Sequence, residues 1–178
     1  MKVAMKTDPI TIADATASDV LGISDVQKET WLATFPNEEY GITREDVLSE
    51  DFRSPGRIEK RIAIIEDSMS KTKFFVAKRD KTVVGYCCAQ RLVDWNYIKS
   101  IYILPAFQGK GIGTRLMEEA FAFLDQKKQT KLTVAVYSAE AIAFYEKLGF
   151  VKGKRLEHNP DGAFASGQEV PEMEMIKG

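Results

Sequence analysis

Ile101-Tyr102-Ile103-Leu104-Pro105 runs into Gln108-Gly109-Lys110-Gly111-Ile112-Gly113, and this junction decides how the 178-residue chain is read. An apolar strand that feeds a glycine-rich turn and then a helix start presents N–H groups with no acceptor of their own, an arrangement that suits an anion. The expected guest is a phosphate-bearing cofactor. Two common phosphate loops are excluded by spacing. A G-x-G-x-x-G fingerprint opened at Gly109 ends on Thr114, and one opened at Gly111 ends on Leu116. A nucleoside-triphosphate loop needs a hydroxyl residue after its lysine, whereas Lys110 is followed by Gly111. What the chain shows is Gln-x-x-Gly-x-Gly.

About 30 residues downstream lies Ser138-Ala139-Glu140-Ala141-Ile142-Ala143-Phe144-Tyr145-Glu146-Lys147-Leu148-Gly149-Phe150. With the Gln-x-x-Gly-x-Gly turn, this A-x-x-F-Y-E-K-x-G-F helix resembles the paired motifs of the GNAT superfamily of acyl-CoA-dependent N-acetyltransferases. The resemblance is close over roughly residues 73 to 152 and extends to the rest only in general layout. It implies acetyl-CoA as cosubstrate and a mixed α/β sheet, mostly antiparallel, splayed at the cofactor site and covered by helices on both faces. A homodimer is expected from the family alone.

The global numbers agree with a small enzyme. At 178 residues and 44% hydrophobic content the chain can bury one good core, and its length favours a single domain over residues 1–178. A net charge of −1 gives no reason to expect nucleic acid. No run approaches the ~18 apolar residues of a membrane span, and Met1 to Ile10 has charges and Pro9 where a signal peptide would be apolar, so a cytoplasmic address is expected. Cys87 and Cys88, adjacent in a strand, should face opposite ways and act as packing residues. With His158 alone and no His/Cys cluster, no metal is expected.

Hydrophobic period and punctuation divide the chain. Ile10 to Ala13 reads as a strand, and Thr16-Ala17-Ser18-Asp19 as a capping box opening a helix to about Thr34. Thr43-Arg44-Glu45-Asp46 is a second capped start, and a further helix spans about Arg57 to Ser70. Strands follow at Phe74 to Lys78 and Thr82 to Leu92, an antiparallel hairpin, and at Asn96 to Leu104. Ile112, Leu116, Ala120 and Phe123 define a helix to about Lys128. Lys131 to Val136 is a buried strand, Ser138 the N-cap of the next helix, and Gly149 its end. Phe150-Val151 leads into a loop over Gly153 to Gly167, and Glu172 to Ile176 is the last strand. The order βαα(α)βββαβαβ(β) matches the layout the resemblance implies.

Amide formation from a thioester needs a neutral amine, a host for the developing oxyanion and a proton for the departing thiol. A strand at Ile101 to Ile103 that splays from its neighbour would expose main-chain groups to the amide-rich arm of coenzyme A; by resemblance the Ile103 N–H meets the acetyl carbonyl. Gln108, Gly109, Lys110, Gly111, Ile112, Gly113 and Thr114 would hold the pyrophosphate, with glycine permitting positive φ and Lys110 adding charge. Tyr145 is the family's candidate general acid, since an unperturbed phenol titrates near pH ~10 and is protonated at neutral pH. Two positions depart from the family pattern. Ser138 stands where an Asn often makes a cofactor contact, and Tyr97 where many relatives carry a basic Glu. The base is therefore unassigned, with Asp94 and Glu29 as candidates.

For the acceptor, Glu29-Thr30-Trp31-Leu32-Ala33-Thr34-Phe35 resembles the acceptor-side helix of bacterial polyamine acetyltransferases, which points to Trp31 and Phe35. The segment Asn37 to Asp51 holds six carboxylates against Arg44 alone and could attract a cation. Three readings follow: acetylation of a small primary amine, polyamine-like or an amino-acid derivative; acetylation of a peptide or protein amine; or a coenzyme A-binding module without turnover.

Overall fold

Local capping sets the helical first third. In the computed structural model, which describes residues 9–156 and 163–178, strand β1 (Ile10–Asp14) is followed by Thr16, whose N–H and hydroxyl both donate to Asp19 Oδ2 at 2.9 Å. The expected helix opens here, but through one 3-10 turn, Ala17–Asp19, with α1 running Val20–Thr34. A second capping box, at Thr43 and Asp46, opens the short α2 (Arg44–Leu48). Pro55, preorganised for a first helical position, starts α3 (Pro55–Glu66), which ends four residues before the expected Ser70. There the Asp67 side chain takes the Met69 N–H at 2.9 Å and folds the chain into a turn.

The remainder builds one sheet: β2 (Thr72–Arg79), β3 (Thr82–Arg91), β4 (Asn96–Ile103), β5 (Thr130–Ala135), β6 (Val151–Arg155) and β7 (Glu172–Lys177) join β1 in the order β1-β2-β3-β4-β5-β7-β6. Every neighbouring pair is antiparallel except β4 with β5. Helix α4 (Ile112–Phe123) connects that parallel pair, and α5 (Ala139–Lys147) follows β5.

Two further boundaries differ from expectation, each for a tertiary reason. Helix α4 stops at Phe123 and not near Lys128, because buried Asn96 at the start of β4 takes the Asp125 N–H (3.1 Å) and donates to the carbonyls of Asp125 (2.8 Å) and Lys128 (3.2 Å), drawing that segment out of the helix. Strand β6 occupies Val151–Arg155, where a loop was expected from Gly153. All five of its residues are exposed, so no alternation of apolar and polar residues marks it, and its pairing with β7 at the sheet edge defines it instead. The rest of that loop lies partly outside the described residues, as does His158.

Helices cover both faces. Leu116, Met117 and Ala120 of α4 and Ile142 and Tyr145 of α5 pack on Phe75, Cys87, Ile98, Leu132 and Met175. On the opposite face Ile23 and Val26 of α1, with Ile64 and Ile65 of α3, pack on Phe74, Val76, Tyr86 and Cys88. Cys87 and Cys88 thus face opposite sides, free and buried, and burial pushes both thiols up, Cys88 to about 12. They are packing residues.

Candidate active site

Strands β4 and β5 pair only at Asn96↔Thr130 and Tyr97↔Lys131. From Ile98 onward β4 is held by β3 alone, so the sheet opens as a wedge toward the glycine turn. Antiparallel ladders alternate bonded and non-bonded pairs. Since the Leu104 N–H donates to Val84 O at 2.9 Å, the pairs Gly85↔Ile103 and Cys87↔Ile101 are the non-bonded ones. The main-chain N–H and C=O groups of Ile101 and Ile103 therefore point away from β3, into the gap.

The turn at the mouth of the wedge is tied to it. Gln108 Nε2 donates to Ile103 O at 3.0 Å, and Lys110 Nζ donates to Ala106 O at 2.9 Å while lying 5.2 Å from the Phe107 ring centroid. Gly109 and Gly111 sit at φ +71° and +75°, and a Cβ on either would meet nothing within 4 Å, so backbone conformation and not crowding calls for glycine. Gly113 serves differently: a Cβ there would stand 3.1 Å from Phe144 Cζ and 3.3 Å from Ile103 Cδ1, so its absence lets α4 approach α5 and β4. The first bond within α4 runs from the Arg115 N–H to Gly111 O (3.2 Å). The N–H groups of Ile112, Gly113 and Thr114 have no acceptor within the helix and lie at its positive end, an arrangement that suits an anion.

Ser138 holds the N-cap position of α5, but its side chain makes no capping bond, so the cap expected of its hydroxyl is not formed. One and two turns on, Ile142 and Tyr145 turn inward. Tyr145 is 8% exposed and packs edge-on to Phe150 at 5.9 Å. Burial pushes its phenol well above the usual tyrosine value, and Cys87 and Tyr97 act in the same direction. The group stays protonated across the physiological range. Tyr97, at the last paired position of β4, has its hydroxyl 3.4 Å from Thr133 Oγ1 on β5.

On the other face Trp31 and Phe35 belong to an aromatic cluster. Trp31 lies edge-on to Phe35 (5.2 Å), Phe52 (5.3 Å), Phe164 (5.8 Å) and Tyr102 (6.4 Å). Among the described residues its buried Nε1 has no hydrogen-bond partner. Burial pushes the neighbouring Tyr102 phenol well above the usual tyrosine value. Tyr137 stacks on Tyr40 at 5.3 Å and donates to Phe35 O at 2.8 Å. Trp31, Phe35 and Tyr102 thus connect α1 to the wedge, whereas the two candidate bases do not reach it. Glu29 is exposed on α1. Asp94 is exposed in the β3–β4 turn, at the end of β4 opposite Ile103 and about 23 Å away at a strand rise of about 3.3 Å per residue.

The acidic segment is partly used structurally: Asp46 caps α2, and Glu50 pairs with Arg57 at 2.8 Å and accepts the Ala165 N–H at 2.7 Å. One carboxylate that sequence reading passed over stands at the wedge instead. Glu172 begins β7 beside Ala135 of β5 and accepts from Thr133 Oγ1 at 3.4 Å. Nothing in its local sequence marks it, because the placement of β7 against β5 is a property of the sheet.

Main-chain donors at a helix start lie beside a strand parted from its neighbour, an arrangement that suits an anionic, amide-rich ligand. Residues 70–152 match the family model described as an acetyltransferase (GNAT) domain. It is 32% identical over 114 residues to an N-alpha-acetyltransferase of Saccharolobus solfataricus, a match covering 54% of this chain and 65% of that protein. It is 26% identical over 145 residues to the spermidine N(1)-acetyltransferase of Thermoplasma acidophilum, covering 79% and 88%. Among solved structures it resembles the PaiA N-acetyltransferase of Thermoplasma acidophilum in complex with coenzyme A, with a TM-score of 0.69 and 23% identity over 95% of this chain and 98% of that one. The mixed, mostly antiparallel sheet with its opened β4–β5 pair is the fold expected from the motifs.

Proposed function

We propose that the chain, acting as one domain over residues 1–178, is an N-acetyltransferase that moves an acetyl group from acetyl-CoA to a primary amine of a small cationic molecule, polyamine-like or an amino-acid derivative. The parting of β4 from β5 after Tyr97, with the Ile101 and Ile103 main chain turned into the gap, carries this reading. Acetyl-CoA supplies an activated thioester with a diphosphate at the far end of an amide-bearing arm.

Each requirement has a host in this chain. The N–H groups of Ile112, Gly113 and Thr114, with Gln108, Gly109, Lys110 and Gly111 shaping the turn, hold the diphosphate; Ser138 stands at the neighbouring helix start. Ile101 pairs with the amide arm through its main chain. The Ile103 N–H meets the negative charge that develops on the acetyl oxygen as the amine attacks directly, a preorganised donor inside a site shielded from water. Tyr145 gives its proton to the departing sulfur. Trp31 and Phe35, with Tyr102 and Phe164, offer aromatic faces to a cationic amine.

The spermidine acetyltransferase relative favours a polyamine-like acceptor, and the N-alpha-acetyltransferase relative favours a peptide α-amine. Incubating the protein with acetyl-CoA and a panel of polyamines, amino-acid derivatives and peptides, while following free thiol, tests both. Acceptor-dependent thiol release with the small amines is the expected result. Release with peptides alone would move the assignment to the second class, and no release with any acceptor would reduce the protein to a coenzyme A-binding module.

A further inference from the structure

We infer that Glu172 is the general base of this site, holding the acceptor's ammonium group on the open side of the β4–β5 wedge and removing its proton before attack. This rests on the acetyltransfer reading above. The family's usual glutamate position on β4 is Tyr97 here, and the chain compensates from a different strand.

Three observations place the carboxylate. Allowing for the β-bulge between Ile98 and Ser100, continuing the parallel register of Tyr97↔Lys131 along both strands brings Tyr102 level with Ala135, whose antiparallel partner is Glu172. Directly opposed residues of an antiparallel pair share a face, so Glu172 lies with Ala135, Thr133 and Glu174 on one face of the sheet. Leu132, Val134 and Met175 project from the other, under α4 and α5. The first of these is the face of Trp31, Tyr102 and Tyr137. Thr133 Oγ1 links Glu172 (3.4 Å) to the Tyr97 hydroxyl (3.4 Å), a polar chain crossing from β7 over β5 to β4 where the strands part. The charge of Glu172 is felt on both sides of the gap: after burial, it is a cause of the raised pKa of Tyr137 and one of those acting on Tyr102.

The proton count closes. The acceptor arrives as an ammonium ion and Glu172 takes one proton. The freed lone pair forms the N–C bond as the C–S bond breaks, and the sulfur takes the Tyr145 proton. The second nitrogen proton returns to Tyr145, and Glu172 releases its own to solvent, so one proton leaves per turnover.

The test compares wild type, Glu172→Gln and the same-strand control Glu174→Gln, with coenzyme A affinity and amine kcat/KM as separate readouts. Glu172→Gln should lower kcat/KM for a strongly basic amine by about 10²-fold or more, leave coenzyme A affinity within about twofold, and lose far less against a weakly basic analogue that arrives neutral. Glu174→Gln should stay within about threefold of wild type. Should Glu172→Gln fail to fold, Glu172→Asp supports the same comparison, with a loss of about tenfold expected. Activity of Glu172→Gln within threefold of wild type, an equal loss with both amines, or a parallel loss of coenzyme A binding overturns the assignment and leaves acetyltransfer standing. A wild-type protein that acetylates no amine overturns both.

Discussion

Tyr145 illustrates how environment decides what a side chain can do. On an exposed helix face its phenol would titrate near pH ~10; buried between α5 and the sheet beside Cys87 and Tyr97, it is held protonated well beyond that. A general acid with a raised pKa is fully loaded at every working pH, so kcat should show no alkaline decline near pH ~10 attributable to this group. Replacing it, Tyr145→Phe, should cut kcat by about 10²-fold while the Kd for acetyl-CoA stays within about threefold, as steady-state kinetics and calorimetric titration can separate. An equal loss in binding would mark the tyrosine as a packing residue. The identity of this residue was legible in its motif; its inward direction and its neighbours were not, because they depend on how α5 lies on β3 and β4.

At the level of elements, two of the boundaries that departed from sequence expectation were set by partners distant in the chain. Periodicity carried α4 to Phe123 correctly, but the stop belongs to Asn96, some 30 residues earlier, which binds Asp125 and Lys128 through three hydrogen bonds. Asn96→Ala leaves two half-buried carbonyls and one N–H without this partner, at a cost of about 2–3 kcal/mol, or roughly 4–12 °C in Tm for a chain of this size. Differential scanning calorimetry reads this directly, and because Asn96 pairs with Thr130 at the root of the wedge, the variant should also weaken coenzyme A binding. Strand β6 is the complementary case. Its Val-Lys-Gly-Lys-Arg sequence has neither burial nor alternation to betray it, and only the hydrogen-bonding edge of β7 makes it a strand.

Across the whole molecule, the wedge is a place where the sheet forgoes its own hydrogen bonds so that a ligand can complete them. Ligand binding should therefore stabilise the fold: coenzyme A at 100 times its Kd contributes about 2.7 kcal/mol, a rise of roughly 5–10 °C in Tm. Gly111→Val, which forces a β-branched residue to φ +75° in the turn, should diminish that rise and increase the KM for acetyl-CoA by about tenfold or more, given backbone strain of about 1–3 kcal/mol. An undiminished rise would remove the turn from the cofactor site. The sequence by itself determined the parts whose cause is local: the glycine turn, which needs positive φ; the helix behind it, marked by its apolar period; the motif that carries Tyr145; and the family to which such a pair of motifs points. Only the tertiary structure decided where β4 and β5 part, that the Ile101 and Ile103 main chain faces the opening, and that Glu172 stands beside it. Those features arise from pairing between strands far apart in the chain, and strand pairing is set by which surfaces can be buried together, a condition no short window of residues contains.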